Sequence, residues 1–125
     1  MVKATIGGRE VPLMLNLNAM ERLALIYGAP LDLQAIINRL KEVGVLLTVA
    51  SVLADEGQEM ANTEDPVDRN WIAAHGNGVT HLSMANAIVE AVNASMRMET
   101  DDGAGEEEEV DVVLEELKKK EPTGG

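Results

Sequence analysis

The chain is expected to fold as a mostly helical α+β domain, an N-terminal β-hairpin packed on a bundle of about five helices, followed by an acidic flexible linker and a short C-terminal amphipathic helix. Three observations carry that expectation: a two-arm alternation around Gly7-Gly8, a succession of apolar stripes at helical spacing, and a sharp change of composition at residue 99. Its 125 residues are 46% hydrophobic and 26% charged, the balance of one soluble globular domain. We expect a globular unit over 1–98, an acidic linker over 99–109, and a short amphipathic helix with a tail over 110–125.

In the hairpin, Val2, Ala4 and Ile6 alternate with Lys3 and Thr5, and Val11, Leu13 and Leu15 alternate on the return. Gly7-Gly8 supplies two residues free to adopt positive φ, as a two-residue turn demands. Pro12 confines its strand to an edge or a bulge because it cannot donate to a ladder. A hairpin alone is marginal in water, so its apolar face must lie on the helices that follow.

Asn18 with Glu21 resembles a capping box, and Met20, Leu23, Ala24 and Tyr27 recur at helical spacing up to Gly28. Asp32 is expected to cap a second helix striped by Leu33, Ile36, Ile37 and Leu40, and Gly44 to mark a break or a close crossing. From Val45 to Ala54 the sequence is apolar almost all round, which suits either the central helix of the fold or a subunit interface. Asp55-Glu56-Gly57 is expected to end it. Asp65 as a cap with Pro66 in first position then starts a helix through Val67, Trp71 and Ala74 that Gly76-Asn77-Gly78 closes. Thr80 caps the last helix of the domain, striped by Ala85, Ile88, Val89, Val92 and Met96.

The charge is uneven. Residues 1–98 carry eleven acids and seven bases, net −4, whereas 99–125 carry eleven acids and three bases, net −8. The run from Glu99 to Glu109 has no apolar side chain larger than Ala and cannot offset its ordering entropy by burial. Beyond it Val110, Val113, Leu114 and Leu117 fall at i, i+3, i+4 and i+7, with acids before them and Lys118 to Lys120 after, both suited to a helix dipole.

A formal charge of −12 opposes any phosphate backbone, so nucleic acid is a poor partner. With no cysteine, thiolate catalysis and disulfides are excluded. His75 and His81 are six apart rather than the i, i+4 of two ligands on one helix face, so we expect no metal and no cofactor. Ser51, Ser83 and Ser95 lie inside helices and not on a strand-to-helix elbow, so no enzyme activity is expected. Trp71 reads as core filler or as a binding anchor. Met84, Met96 and Met98 read as core or as an adaptable binding surface, because unbranched Met re-packs easily. No run approaches the ~20 apolar residues of a membrane span, nor does the N-terminus carry a signal-peptide core, so cytoplasmic residence is the simplest expectation.

The opening Ala4 to Leu13, the run Leu17-Asn18-Ala19-Met20-Glu21-Arg22-Leu23 and the pair Tyr27-Gly28 together resemble tail assembly chaperones of long-tailed bacteriophages and gene transfer agents. The resemblance spans residues 3 to about 98; the acidic linker and terminal helix are no part of it. It implies a non-enzymatic protein of the host cytoplasm that coats the tape measure protein until the tail tube polymerises, with the tail tube protein as a second partner. Many such chaperones also exist in a longer frameshifted form. For this chain the expected partner-binding residues are Leu82, Met84, Ile88, Val92 and Met96 in a groove, and Val110, Val113, Leu114 and Leu117 in a detachable segment. The rival expectation is a structural virion subunit, a head–tail connector or minor tail protein, that self-assembles into rings through the Val45 to Ala54 helix.

Overall fold

The computed structural model describes residues 1–97, and residues 1–93 form one compact unit, with a second beginning at Ala94. The expected linker, the terminal helix with Val110, Val113, Leu114 and Leu117, and Met98 lie outside the described residues. Two antiparallel strands, β1 (Val2–Ile6) and β2 (Arg9–Leu13), precede five helices: α1 (Leu17–Tyr27), α2 (Leu33–Ile37), α3 (Val43–Met60), α4 (Arg69–His75) and α5 (Gly78–Ser95). The hairpin-plus-helices expectation is therefore met.

The ladder runs from Val2 opposite Leu13 to Ile6 opposite Arg9, so the turn is Gly7-Gly8, with φ of +57° and +79°. Those angles are the left-handed region that glycine enters without a Cβ clash. Alternation then sends Ala4, Ile6, Val11 and Leu13 to one face, all buried. That face lies on α3, and the strand end is pinned to the helix where the Met14 N–H donates to the Leu53 carbonyl at 3.0 Å.

α3 is the central helix. Val45, Leu46, Val49, Ala50, Val52, Leu53 and Ala54 are all buried, so the apolar run is the core of the domain's own fold. The helix does not stop at Asp55-Glu56-Gly57 but runs on to Met60. The physical reason is close packing: a Cβ at Gly57 would sit 2.5 Å from the Pro12 carbonyl carbon and 2.9 Å from the Leu13 nitrogen. Glycine is here because β2 crosses the helix at backbone distance, and not because the helix ends. The next residue, buried Gln58, donates to the Val67 and Ala54 carbonyls and accepts from the Val67 N–H, holding the connection to α4.

Several caps differ from expectation. Asn16, not Asn18, caps α1, its Oδ1 accepting from the Ala19 N–H at 2.9 Å, while Asn18 reaches across to Glu56. Asp32 caps α2 as expected, accepting from Ala35 at 3.1 Å. Gly44 marks no break and no crossing: it lies in the first turn of α3, with open space where a Cβ would be. Asp68, not Asp65, caps α4 by accepting from the Trp71 N–H at 2.9 Å. Asp65 sits outside the helix at φ +55°, with its carbonyl and that of Glu64 held by Arg9. Asn77, not Thr80, caps α5, its Oδ1 accepting from the Val79 and Thr80 N–H groups, both at 3.0 Å, and from the Thr80 hydroxyl.

The buried face of α5 is Thr80, Met84, Ala87, Ile88, Ala91 and Val92, one step of phase away from the expected stripe. Ile88 and Val92 belong to both, Ala85 and Val89 are half-buried, and Met96 is exposed. In α2, Ile36 is buried on the expected stripe with Leu33 and Ile37 half-buried, and Leu40 closes it from the turn that follows. In α1, Leu23 and Ala19 are buried while Met20 and Tyr27 pack partly against the core.

Candidate partner-binding groove

Three helix ends meet around an apolar depression of about 210 Å³. The first turns of α3 contribute Val43, Leu46 and Leu47, the end of α4 contributes Ile72 and Ala73, and the start of α5 contributes His81 and Met84 beyond the Gly76-Asn77-Gly78 turn. Ile72, Leu46 and Met84 are buried and form the floor, whereas Val43 is 59% exposed. On α5, Leu82 is 66% exposed but does not line the depression, lying about 160° around the helix from Met84. Val79 is exposed one turn earlier.

No carboxylate or ammonium lines the depression. Its one titratable member, His81, is fixed in place, with Nε2 2.9 Å from the Leu40 carbonyl oxygen, an acceptor that calls for a protonated Nε2. That bond ties the entrance of α5 to the turn before α3. The pocket is thus a fixed apolar concavity with an apolar lip, the surface on which a partner's side chains gain most from leaving water.

The groove residues expected from sequence divide in two. Met84, Ile88 and Val92 lie inside the hydrophobic core and present no face to a partner in this conformation, Met84 alone reaching the depression as part of its floor. Leu82 and Met96 are exposed. The lining positions that sequence reasoning did not assign to the groove are Val43, Leu46, Leu47, Ile72, Ala73 and His81, which come from three separate helices.

A second exposed apolar set runs along α1, where Leu17 is 79% and Leu25 82% exposed with Ile26 beside it. Glu21 falls between Leu17 and Leu25 on that line, and Arg22 next to it is engaged by Asp55 at 3.1 Å. A convex ridge broken by charge offers a partner less contiguous apolar area than the groove does.

Elsewhere the polar groups are occupied with structure. Trp71 is half-buried under the hairpin turn: its indole stacks on the His75 ring at 4.1 Å, Arg9 lies 5.9 Å above it, and Gly7 packs on both rings. It anchors β-turn to α4, closer to the core-filler expectation than to a free binding anchor. Ser51 donates to the Thr48 carbonyl within its own helix. A wider polar depression of about 440 Å³ is lined by Asp55, Gln58, Glu59, Asn62, Thr63 and Pro66. Its Gln58 amide is fully used on Val67 and Ala54, and its Asp55 pairs with Arg22. Among the described residues no three His, Asp or Glu side chains converge on a possible metal position, and no helix is long and apolar enough to cross a membrane.

Comparison with protein families, with characterised proteins and with solved structures returns no match for this chain.

Proposed function

We propose that the protein is a non-enzymatic binding module that shelters an apolar helix of another protein, acting as a tail assembly chaperone toward the tape measure protein in the host cytoplasm. The observation that carries this reading is the charge-free concavity between α3, α4 and α5, opened by exposed Val43. An exposed apolar concavity is a standing cost in water that a partner's helix relieves. The adaptable Met84 in its floor suits a site that meets related but unequal side chains. The family assignment comes from the hairpin and first-helix residues Ala4 to Leu13 and Leu17 to Leu23.

The ring-forming alternative drew on the Val45 to Ala54 helix as a subunit surface, and that helix is the buried centre of the domain. Co-expression is the direct test. The intact chain should raise the soluble fraction of a tape measure protein several-fold, and light scattering on the chain alone should return no closed ring. An unchanged soluble fraction removes the chaperone reading, and a stable closed ring favours a structural subunit.

A further inference from the structure

We infer that the groove seats one tryptophan side chain of a different protein, its ring against Leu46, Leu47, Ile72 and Met84 and its indole N–H donated to His81. This names the partner's anchor and rests on the partner-binding reading above.

Size selects the class of side chain. The depression is about 210 Å³, below the roughly 300–1,000 Å³ of a cofactor pocket. An apolar cavity of about 150 Å³ is enough to hold a benzene ring. The groove therefore exceeds one six-membered ring and suits a bicyclic one, whereas a Leu or Val would leave part of it unfilled. The floor suits a ring as well. Met84 reaches the Gly76 turn, its Cε 3.8 Å from where a Cβ on Gly76 would stand, which brings its thioether into the floor. Sulfur against an aromatic ring is a favourable contact.

Electrostatics exclude the charged alternatives. No carboxylate or ammonium lines the groove, so a Lys, Arg, Asp or Glu seated there would lose its hydration with no counter-charge. One polar atom of the wall is left to satisfy. His81 gives its Nε2 proton to the Leu40 carbonyl, which makes Nδ1 of the neutral ring an acceptor. Among the described residues no group donates to that nitrogen. Indole matches this wall, because it is an apolar bicycle with one donor and no acceptor. Phe brings no donor, and the smaller Tyr ring fills less of the space.

The ring comes from outside this chain. The sequence holds no Phe, one Trp and one Tyr. Trp71 is stacked on His75 beneath the hairpin turn, and Tyr27 packs partly against the core beside Arg39. Neither can fill the groove of its own molecule or of a second copy, and residues 98–125 contain no Phe, Trp or Tyr.

The test titrates the full ¹⁵N-labelled chain with synthetic helical peptides that are identical except at one central residue: Trp, benzothienylalanine, Leu or Lys. The Trp peptide should shift the amides of Leu46, Leu47, Ile72 and His81 and bind roughly tenfold more tightly than the Leu peptide. The Lys peptide should not bind. Benzothienylalanine keeps the bicycle and loses the donor, so it should bind roughly fivefold more weakly than Trp. His81→Leu should erase that fivefold difference, and the comparison on the parent chain stands even where this variant does not fold. Equal binding of the Trp and Leu peptides, equal binding of Trp and benzothienylalanine, binding of the Lys peptide, shifts confined to α1, or no shifts overturn the inference. So do concentration-dependent shifts of the groove amides in the free chain, which would mark a second copy as the occupant. Solubility rescue of a tape measure protein without a Trp preference rejects the tryptophan and leaves the chaperone reading standing; a Trp preference without rescue does the reverse, and loss of both rejects both.

Discussion

Gly57→Ala tests how β2 is seated on α3. In an isolated helix this change is favourable by about 0.8–1 kcal/mol, because glycine is the costlier residue in a helix interior. Here the new Cβ would stand 2.5 Å from the Pro12 carbonyl carbon, about 0.9 Å short of ordinary contact, and closer still to the carbonyl oxygen. These are backbone atoms, so relief requires the strand to retreat. A retreat of that size breaks the bond from the Met14 N–H to the Leu53 carbonyl, now 3.0 Å long. Overpacking costs about 1–3 kcal/mol and the lost hydrogen bond about 0.5–1.5 kcal/mol. After the helix gain is subtracted, the variant should be less stable by about 1–3 kcal/mol. For a domain of this size that lowers Tm by roughly 5–20 °C. Urea unfolding followed by far-UV circular dichroism measures the loss, and amide exchange at Met14 should accelerate beyond the global change. A variant as stable as the parent would show that β2 does not press on the helix, and the packing argument would fail.

Other outcomes follow from single contacts. Gln58→Leu leaves the buried Val67 N–H and carbonyl without partners and should cost about 2–4 kcal/mol in urea unfolding; a loss below 1 kcal/mol would mean the loop is held by something else. Asn16→Ala should lower stability by about 1 kcal/mol and Asn18→Ala by under 0.5 kcal/mol, an order that reverses if Asn18 is the true cap. The hydrogen bonds from Arg39 hold the Glu42 carboxyl below the usual glutamate range, so its folded form binds protons less readily than its unfolded form. That contribution is present at neutral pH and lost as pH falls through the lowered value. A Glu42→Gln variant should differ from the parent near pH 7 and converge with it in acid, as read by thermal melts across pH, whereas a constant difference would contradict the pairing. Val43→Asp should stabilise the isolated domain by about 0.3–1 kcal/mol through the uncapped end of α3, and a destabilised variant would show that end to be already satisfied.

Much of the fold was legible because some signals admit one physical solution. Two adjacent glycines between alternating arms make a hairpin turn, and a helix apolar on every side must be covered. The caps were harder. Asn16 and Asn18, Asp65 and Asp68, and Asn77 and Thr80 are chemically near-equivalent neighbours, and tertiary contacts decide between them. Arg9 holds the Asp65 carbonyl in a turn at φ +55°, which takes that residue out of contention for the α4 cap. Gly57 read as a stop because glycine often is one, while here it marks a crossing strand that no local pattern announces. The groove was hidden for a related reason: α5 is apolar around several sides, so its stripe has no unique phase, and the small Ala87 and Ala91 mark the packed face. Val43 and Ile72 reach the groove from two other helices, and only the fold brings them beside Met84.

The central claim is that a partner helix lies between α3, α4 and α5. Hydrogen exchange of the intact chain, alone and mixed with a co-purified tape measure segment, tests it at single-residue level. Protection should appear over residues 43–47 and 76–84 with α1 unchanged. Protection on Leu17 to Ile26 instead, or no difference at the groove, would contradict it.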